Sequence, residues 1–178
     1  MEYSIKEVAK IIGAKGNELH DDAITILLTD SRTVSFPEQS LFFALKTKTN
    51  DGHKYIPELY KLRVRNFVVS EMAPEFANIT DANFLLVKDP PRALQQLALH
   101  YRKKFDIPVI GITGSNGKTI VKEFLYQLLH TEFNIVRSPR SFNSQLGVPL
   151  SVWQINPKHT LGIFEAGISQ PDEMERLQ

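Results

Sequence analysis

The residues best suited to chemistry form a glycine-rich run between an apolar segment and a helix-like segment. Glycines let backbone N–H groups turn toward phosphate oxygens, and a following helix adds the positive end of its dipole. Lys118 can reach the outer phosphates of a nucleotide, and Thr119 can ligate Mg²⁺. The run therefore predicts a site for a nucleotide with Mg²⁺. The candidate nucleotide-binding residues in it are Gly114, Ser115, Asn116, Gly117, Lys118 and Thr119.

The spacing of this run differs from the general phosphate-binding loop. Ile112 stands five residues before Gly117, where that loop has glycine, and the nearest earlier glycine is Gly114. An ordinary GTPase or kinase is therefore disfavoured. A dinucleotide fold is also disfavoured, because Gly-x-Gly-x-x-Gly is absent. A plain glycine turn beside an exposed lysine is the simplest alternative, and the position between strand and helix favours nucleotide binding over it.

The elements around the run alternate between strand and helix. Strands are predicted at residues 109–112, 134–137 and 160–165, and helices at 118 to about 133, at 145–154 and from near Pro171. This rhythm predicts a parallel sheet whose strands are buried by helices on both faces. Three strands are few for a doubly wound sheet, so a truncated P-loop-type parallel α/β domain is expected.

The first half of the chain predicts a small mixed α/β domain. Ser4 and Glu7 form a capping signal for a helix that Gly13 stops. Strand-like runs follow at residues 23–29, 40–45, 66–70 and 83–87, with a helix at 55–62 and another at 92–105. Near Ile107 the pattern changes to a continuous apolar strand followed by the glycine-rich run. This change predicts domains at 1–106 and 107–178.

Composition narrows the class of protein. Lys and Arg total 21 against 20 acidic residues, so the chain has no large excess of positive charge of the kind that binds nucleic acid. Cysteine is absent, which is consistent with a cytoplasmic location. No segment has the length of a membrane span or the form of a targeting signal, so no membrane insertion is expected. The oligomeric state is not indicated by any pattern.

Residues 113–119 resemble the Thr-Gly-Thr/Ser-Asn-Gly-Lys-Thr loop of the Mur ligases, which build the peptidoglycan stem peptide. Residues 29–32, 40–45 and 50–53 resemble the amino-terminal UDP-binding domain of the MurE and MurF types, and residues 143–150 resemble a segment after the loop helix. Residues 164–174 are more similar to the Glu-Met-Gly-Ala-x-x-Pro-Gly-Glu-Ile segment of the MurF type than to the Glu-Val-Ser-Ser-His of MurE. Folylpolyglutamate synthases are relatives whose loop usually continues Gly-Lys-Gly.

The resemblance implies roles for single residues. Lys118 and Glu165 would be catalytic, with Thr119 and Glu165 at the metal, and Asn143 would contact the nucleotide phosphates. Ser144 stands where the family has a second asparagine, so local contacts there are expected to differ. On the substrate side it implies Ser31, Arg32, Asp51 and His53, although both segments could equally be turns.

The resemblance also implies a reaction. ATP would phosphorylate the terminal carboxylate of a UDP-MurNAc-tripeptide, and D-alanyl-D-alanine would attack the acyl phosphate. Residues 1–178 alone are expected to lack ligase activity, because the family's later lysine, histidine, adenine pocket and third domain are not in them. A MurE-type amino-acid ligase and a non-catalytic nucleotide-binding module are the alternatives, and Lys118, Thr119 and Glu165 argue against the module. Some bacteria fuse this ligase to an alanine racemase.

Overall fold

The computed structural model describes residues 2–17 and 20–167. Residue contacts divide the chain into two compact units, Met1–Gln96 and Leu97–Gln178, with the division inside helix α3 (Pro90–Arg102). The predicted domain boundary at residue 107 stays a prediction. The predicted helix near Pro171 and residues 168–174 of the family-like segment lie outside the described residues.

The first unit opens with the helix that the sequence predicts. Helix α1 (Ile5–Ile12) has Ser4 as its N-cap, and the Ser4 and Glu7 side chains complete the reciprocal capping box. Gly13 ends it in the left-handed conformation at φ 61°. Helix α2 (Ile56–Lys61) follows a 3₁₀ turn at Gly52–Tyr55. Within the described residues the strands of this unit are β1 (Tyr3–Ser4), β2 (Lys15–Asn17), β3 (Ala23–Ile24), β4 (Ile26–Leu28), β5 (Ser40–Phe43), β6 (Asn66–Val69) and β7 (Asn83–Leu86).

Five of these strands form a mixed sheet in the order β2-β7-β6-β5-β4. Strands β4 to β7 pair in parallel, and β2 adds to β7 in the antiparallel sense. Buried aromatic rings fill the core on one side, with Phe67 stacked on Phe84 at 5.4 Å between centroids. The prediction of one strand at 23–29 was wrong, because β3 pairs with β1 in a separate sheet while β4 joins the large one. Thr25 separates them, and its backbone N–H donates to the Gln39 carbonyl.

The second unit contains a three-stranded parallel sheet in the order β8-β10-β9. Its strands are β8 (Val109–Ile112), β9 (Ile135–Arg137) and β10 (Leu161–Glu165), and its helices are α4 (Lys118–Leu129) and α5 (Gly147–Val152). The predicted parallel α/β arrangement is therefore confirmed, although α4 and α5 are shorter than expected.

The prediction that β8 is buried on both faces was wrong. Strand β8 lies at an edge of the described sheet, where Val109 is exposed, and the central strand β10 is buried throughout. The predicted inner face of α3 is buried at Leu94, Leu97, Ala98 and Tyr101. Among the described residues, no helix is both long enough and apolar enough to cross a membrane.

Candidate nucleotide site

The predicted nucleotide-site residues lie at the carboxyl ends of the parallel strands in the sheet of the second unit. Strand β8 ends at Ile112, directly before the glycine-rich loop, and β10 ends at Glu165. The Ala166 N–H donates to the Ile112 carbonyl at 2.8 Å, so the loop starts beside the end of β10. Ligand sites of open parallel sheets occur at this edge.

The loop itself depends on two glycines with positive φ. Gly114 has φ 137° and Gly117 has φ 78°, conformations that residues with a Cβ rarely adopt. Gly117 is the N-cap of α4, so the helix begins at Lys118. The Lys118 ammonium donates to the Gly114 carbonyl at 2.7 Å, so it folds back over the loop that it follows. This places a positive charge beside the exposed residues 113–117.

Glu165 and Thr119 meet next to that loop. The Thr119 hydroxyl donates to Glu165 Oε2 at 3.1 Å, and the Glu165 backbone N–H donates to the Ser138 hydroxyl at 3.0 Å. The carboxylate is fully buried, and its Oε1 lies 2.9 Å from the Lys122 ammonium. The Thr119 hydroxyl and the Glu165 carboxylate are hard oxygen donors of the kind that Mg²⁺ prefers.

Asn143 lies at the same edge, beside the residues that follow β10. The Gly167 N–H donates to the Asn143 carbonyl at 2.6 Å. A Cβ built on Gly167 would lie 3.1 Å from Asn143 Oδ1, so the side chain packs directly on this glycine. The structure thus brings together the candidate residues of the loop, Glu165 and Asn143.

Lys122 is a residue of this site that the sequence interpretation missed. It is fully buried on α4, and its ammonium lies 2.9 Å from Glu165 Oε1. It also lies 3.4 Å from Glu123 Oε1, and Glu123 pairs with Arg137. The signal in the sequence was the spacing of one helical turn from Lys118, which puts both lysines on one face of α4.

In the first unit, Ser31 and Arg32 begin a 3₁₀ turn after β4 that Asp30 caps. The Arg32 side chain donates to both carboxylate oxygens of Asp30, at 2.9 Å to Oδ1 and 2.6 Å to Oδ2. This hydrogen bonding lowers the pKa of Asp30 to about 2, and the same contact raises the pKa of Arg32. Arg32 nevertheless keeps an exposed guanidinium, and Ser31 is half-buried.

Asp51 and His53 follow β5, at the same sheet edge as Ser31 and Arg32. The two ring nitrogens of His53 have different partners. Nδ1 lies 2.6 Å from Asp51 Oδ1, and Nε2 accepts the Ser70 N–H at 3.1 Å. Because Nε2 is an acceptor, the proton is assigned to Nδ1, which donates to Asp51. His53 is therefore buried with its ring hydrogen-bonding capacity already used.

Asp51, His53 and Glu71 hold ligand atoms close enough together for a metal ion, but their contacts favour another interpretation. The Lys46 ammonium lies 3.4 Å from Asp51 Oδ2 and 3.2 Å from Glu71 Oε1. It supplies the positive charge between these carboxylates, and its own pKa is raised by the hydrogen bonds to Glu71 and Asp51. Partial burial opposes ionisation of Asp51, yet hydrogen bonds from the His53 backbone and ring and from Lys46 lower its pKa to about 2.

Comparison with known proteins assigns both parts of the chain to one family. Residues 23–102 match the family described as Mur ligase family, catalytic domain, and residues 112–178 match the Mur ligase middle domain. The chain belongs to the Mur ligase family. Its similarity extends over both units and includes the glycine-rich loop that the site is built on.

Several Mur ligases are similar to the chain over most of its length. The UDP-N-acetylmuramoyl-tripeptide–D-alanyl-D-alanine ligase of Bacillus subtilis strain 168 is 28% identical over 98% of this chain and 38% of the relative. The ligase of the same description from Treponema pallidum strain Nichols is 34% identical over 83% of this chain and 33% of the relative. The chain thus spans between a third and two-fifths of these Mur ligases.

Solved Mur ligase structures share the fold. A crystal structure of MurF from Acinetobacter baumannii matches 99% of this chain and 38% of its own length with a TM-score of 0.89, at 23% identity. MurF ligase from Thermotoga maritima in complex with ADP matches 85% of this chain and 34% of its own length, with a TM-score of 0.70 and 29% identity.

Proposed function

We propose that this chain supplies the UDP-sugar-peptide-binding domain and the first part of the ATP-binding domain of a MurF-type ligase. The enzyme would join D-alanyl-D-alanine to UDP-MurNAc-tripeptide, the substrates in the names of its relatives. The domain limits proposed are residues 1–106 and 107–178. The observation that carries the proposal is the pairing of Thr119 with buried Glu165 beside the glycine-rich loop.

The loop would bind the phosphates of ATP through its backbone N–H groups and Lys118. Residues 113–117 are exposed, and the α4 N-terminus adds its dipole there. The Lys118 ammonium would exchange its bond to the Gly114 carbonyl for a phosphate oxygen. It would then stabilise the charge that spreads over the transferred phosphoryl group.

Thr119 and Glu165 would hold Mg²⁺, with the Asn143 amide beside them. The ion would neutralise phosphate oxygens that otherwise repel an incoming carboxylate. The buried position of Glu165 keeps bulk water away from its carboxylate, and the Ser138 hydroxyl holds its backbone N–H.

The chemistry is a transfer followed by a displacement. A carboxylate oxygen of the tripeptide attacks the γ-phosphorus, the bond to ADP breaks, and an acyl phosphate forms. The amine of D-alanyl-D-alanine then attacks the acyl carbon, loses a proton and releases inorganic phosphate.

In the first unit, exposed Arg32 and half-buried Ser31 would meet the UDP part of the substrate. Asp51 would line the sugar pocket, and His53 would shape it through its bonds to Asp51 and Ser70.

The nucleotide site is tested by equilibrium binding of ADP, with and without Mg²⁺, to the full-length protein carrying this chain. We expect Lys118→Ala to weaken binding by at least about tenfold, the usual effect of losing a hydrogen bond to a charged group. Lys158→Met, at an exposed lysine in the same unit, is the matched control and should bind like the unchanged protein. Equal affinity of the Lys118→Ala variant and the control would rule out the proposed role of the loop.

A further inference from the structure

Lys122 carries a charge into the interior of the second unit. It lies one turn after Lys118 on α4, and its side chain has no exposed surface. A buried ammonium is costly unless oxygens surround it, so its partners define what it does.

Those partners come from two segments that are distant from α4 along the chain. The Lys122 ammonium donates to the Ser138 carbonyl at 2.8 Å and to the Arg140 carbonyl, both in the segment after β9. It also lies 2.9 Å from Oε1 of Glu165, at the end of β10. The Lys122 side chain therefore connects helix α4, which follows the glycine-rich loop, to the segment after β9 and to the end of β10.

The backbone at Arg140 needs such a contact. Arg140 has φ 49°, a left-handed conformation that is uncommon for a residue with a side chain. Such conformations persist only where the surrounding structure holds them. The bond from Lys122 to the Arg140 carbonyl holds this turn, three residues before Asn143.

We propose that Lys122 is a positioning residue for the metal and nucleotide site. It draws Oε1 of Glu165 to one side, which leaves Oε2 directed at Thr119, and it fixes the turn that carries Asn143. This role rests on the proposed function, because Glu165 and Thr119 are the proposed metal ligands. Lys122 itself has no exposed surface, so it would act through Glu165 and the turn and not by direct contact with the nucleotide.

A positioning role and a simple charge effect predict opposite results. If Lys122 acted only as a positive charge near the site, removing it would strengthen the binding of a divalent cation, since like charges repel. If it positions Glu165 and the turn at Arg140, removing it weakens that binding. Residues that orient metal ligands typically change metal affinity by about 10- to 100-fold.

The experiment uses the full-length protein carrying this chain and compares Lys122→Met with the exposed-lysine control Lys158→Met and the unchanged protein. Mn²⁺ binding in the presence of ADP is followed by electron paramagnetic resonance, and ADP binding without metal is measured separately. We expect Lys122→Met to weaken Mn²⁺ binding by about tenfold or more, a larger loss than that of metal-free ADP binding. Equal or tighter Mn²⁺ binding by the folded variant would overturn the inference.

Failure of the proposed function and failure of the Lys122 inference give different results in this experiment. If the unchanged protein bound no Mn²⁺ with ADP, the proposed function would be at fault. If Lys122→Met did not fold, as judged by circular dichroism, the unchanged protein would serve, with the ¹⁵N resonance of the Lys122 ammonium observed by NMR. We expect that signal to shift when Mg²⁺ and ADP are added, and an unchanged signal would overturn the inference.

Discussion

At the residue scale, the carboxylates at the two sheet edges have different neighbours and different roles. Glu165 is fully buried between the Thr119 hydroxyl and the Lys122 ammonium. Asp51 is partly exposed and bonds to His53 and Lys46. In the first arrangement the lysine takes Oε1 and a neutral hydroxyl meets Oε2, whereas in the second the carboxylate is shared between a lysine and a histidine ring.

Asp51 gives the first unit a predicted acid dependence of stability. Its pKa is about 2 in the folded chain, below its ordinary value of 3.8, so the ionised form favours folding. This contribution is fully present above about pH 4 and is lost as the pH falls toward 2. We expect the free energy of unfolding of Asp51→Asn to depend less on pH between 4 and 2, measured by urea denaturation.

The matched control for this prediction is Glu75→Gln, at an exposed carboxylate of the same unit. Asp30→Asn should behave like Asp51→Asn, because hydrogen bonds from Arg32 lower the pKa of Asp30 to about 2. An Asp51→Asn variant with the pH dependence of the unchanged chain would show that His53 and Lys46 do not stabilise the carboxylate.

The sequence predicted the loop and Glu165 because glycines, Lys118 and a strand-end carboxylate leave local signals. Lys122 had only its helical spacing as a signal, because it pairs with Glu165 from a distant strand and its other two partners are the carbonyls of Ser138 and Arg140. Backbone carbonyls are the same in every residue, so no pattern of side chains marks them. The buried ring of His53 was likewise unforeseen, since its partner Ser70 comes from a different strand end.

At the scale of elements, local sequence signals were sufficient to predict a helix or strand where its formation depends on residues close together in the chain. Helix α1 follows from Ser4, Glu7 and Gly13 alone. Strand β2 was missed because Lys15-Gly16-Asn17 has no strand-like composition. Gly16 is required there by close approach to β7, since a Cβ on it would lie 2.0 Å from the Phe84 carbonyl oxygen.

Helix α5 contains a glycine whose replacement should disturb the segment carrying Asn143. A Cβ on Gly147 would lie 2.9 Å from the carbonyl carbon of Phe142, which is backbone and cannot move aside freely. We expect Gly147→Ala to lower the free energy of unfolding by about 1–3 kcal/mol, a typical cost of overpacking. Thermal denaturation followed by circular dichroism measures the change.

Gly111→Ala is the control within the same unit. A Cβ on Gly111 meets no atom within 4 Å, so we expect a change of less than about 0.5 kcal/mol. Equal stability losses in the two variants would mean that the contact between Gly147 and Phe142 does not determine the packing of α5.

At the scale of the whole molecule, the sequence predicted two α/β parts but not their strand orders. The order β8-β10-β9 places the last described strand in the centre, and this rests on pairing between residues far apart in sequence. That order explains why β8 is half-exposed despite its apolar residues. It also brings Glu165 beside the loop that follows β8.

Phosphate release from ATP by the full-length protein carrying this chain is the decisive test of the proposed MurF-type ligation. The assay supplies UDP-MurNAc-tripeptide with and without D-alanyl-D-alanine. We predict release that requires both substrates and is lost in Glu165→Gln. Release with neither substrate, or only with a single amino acid in place of D-alanyl-D-alanine, would contradict the claim.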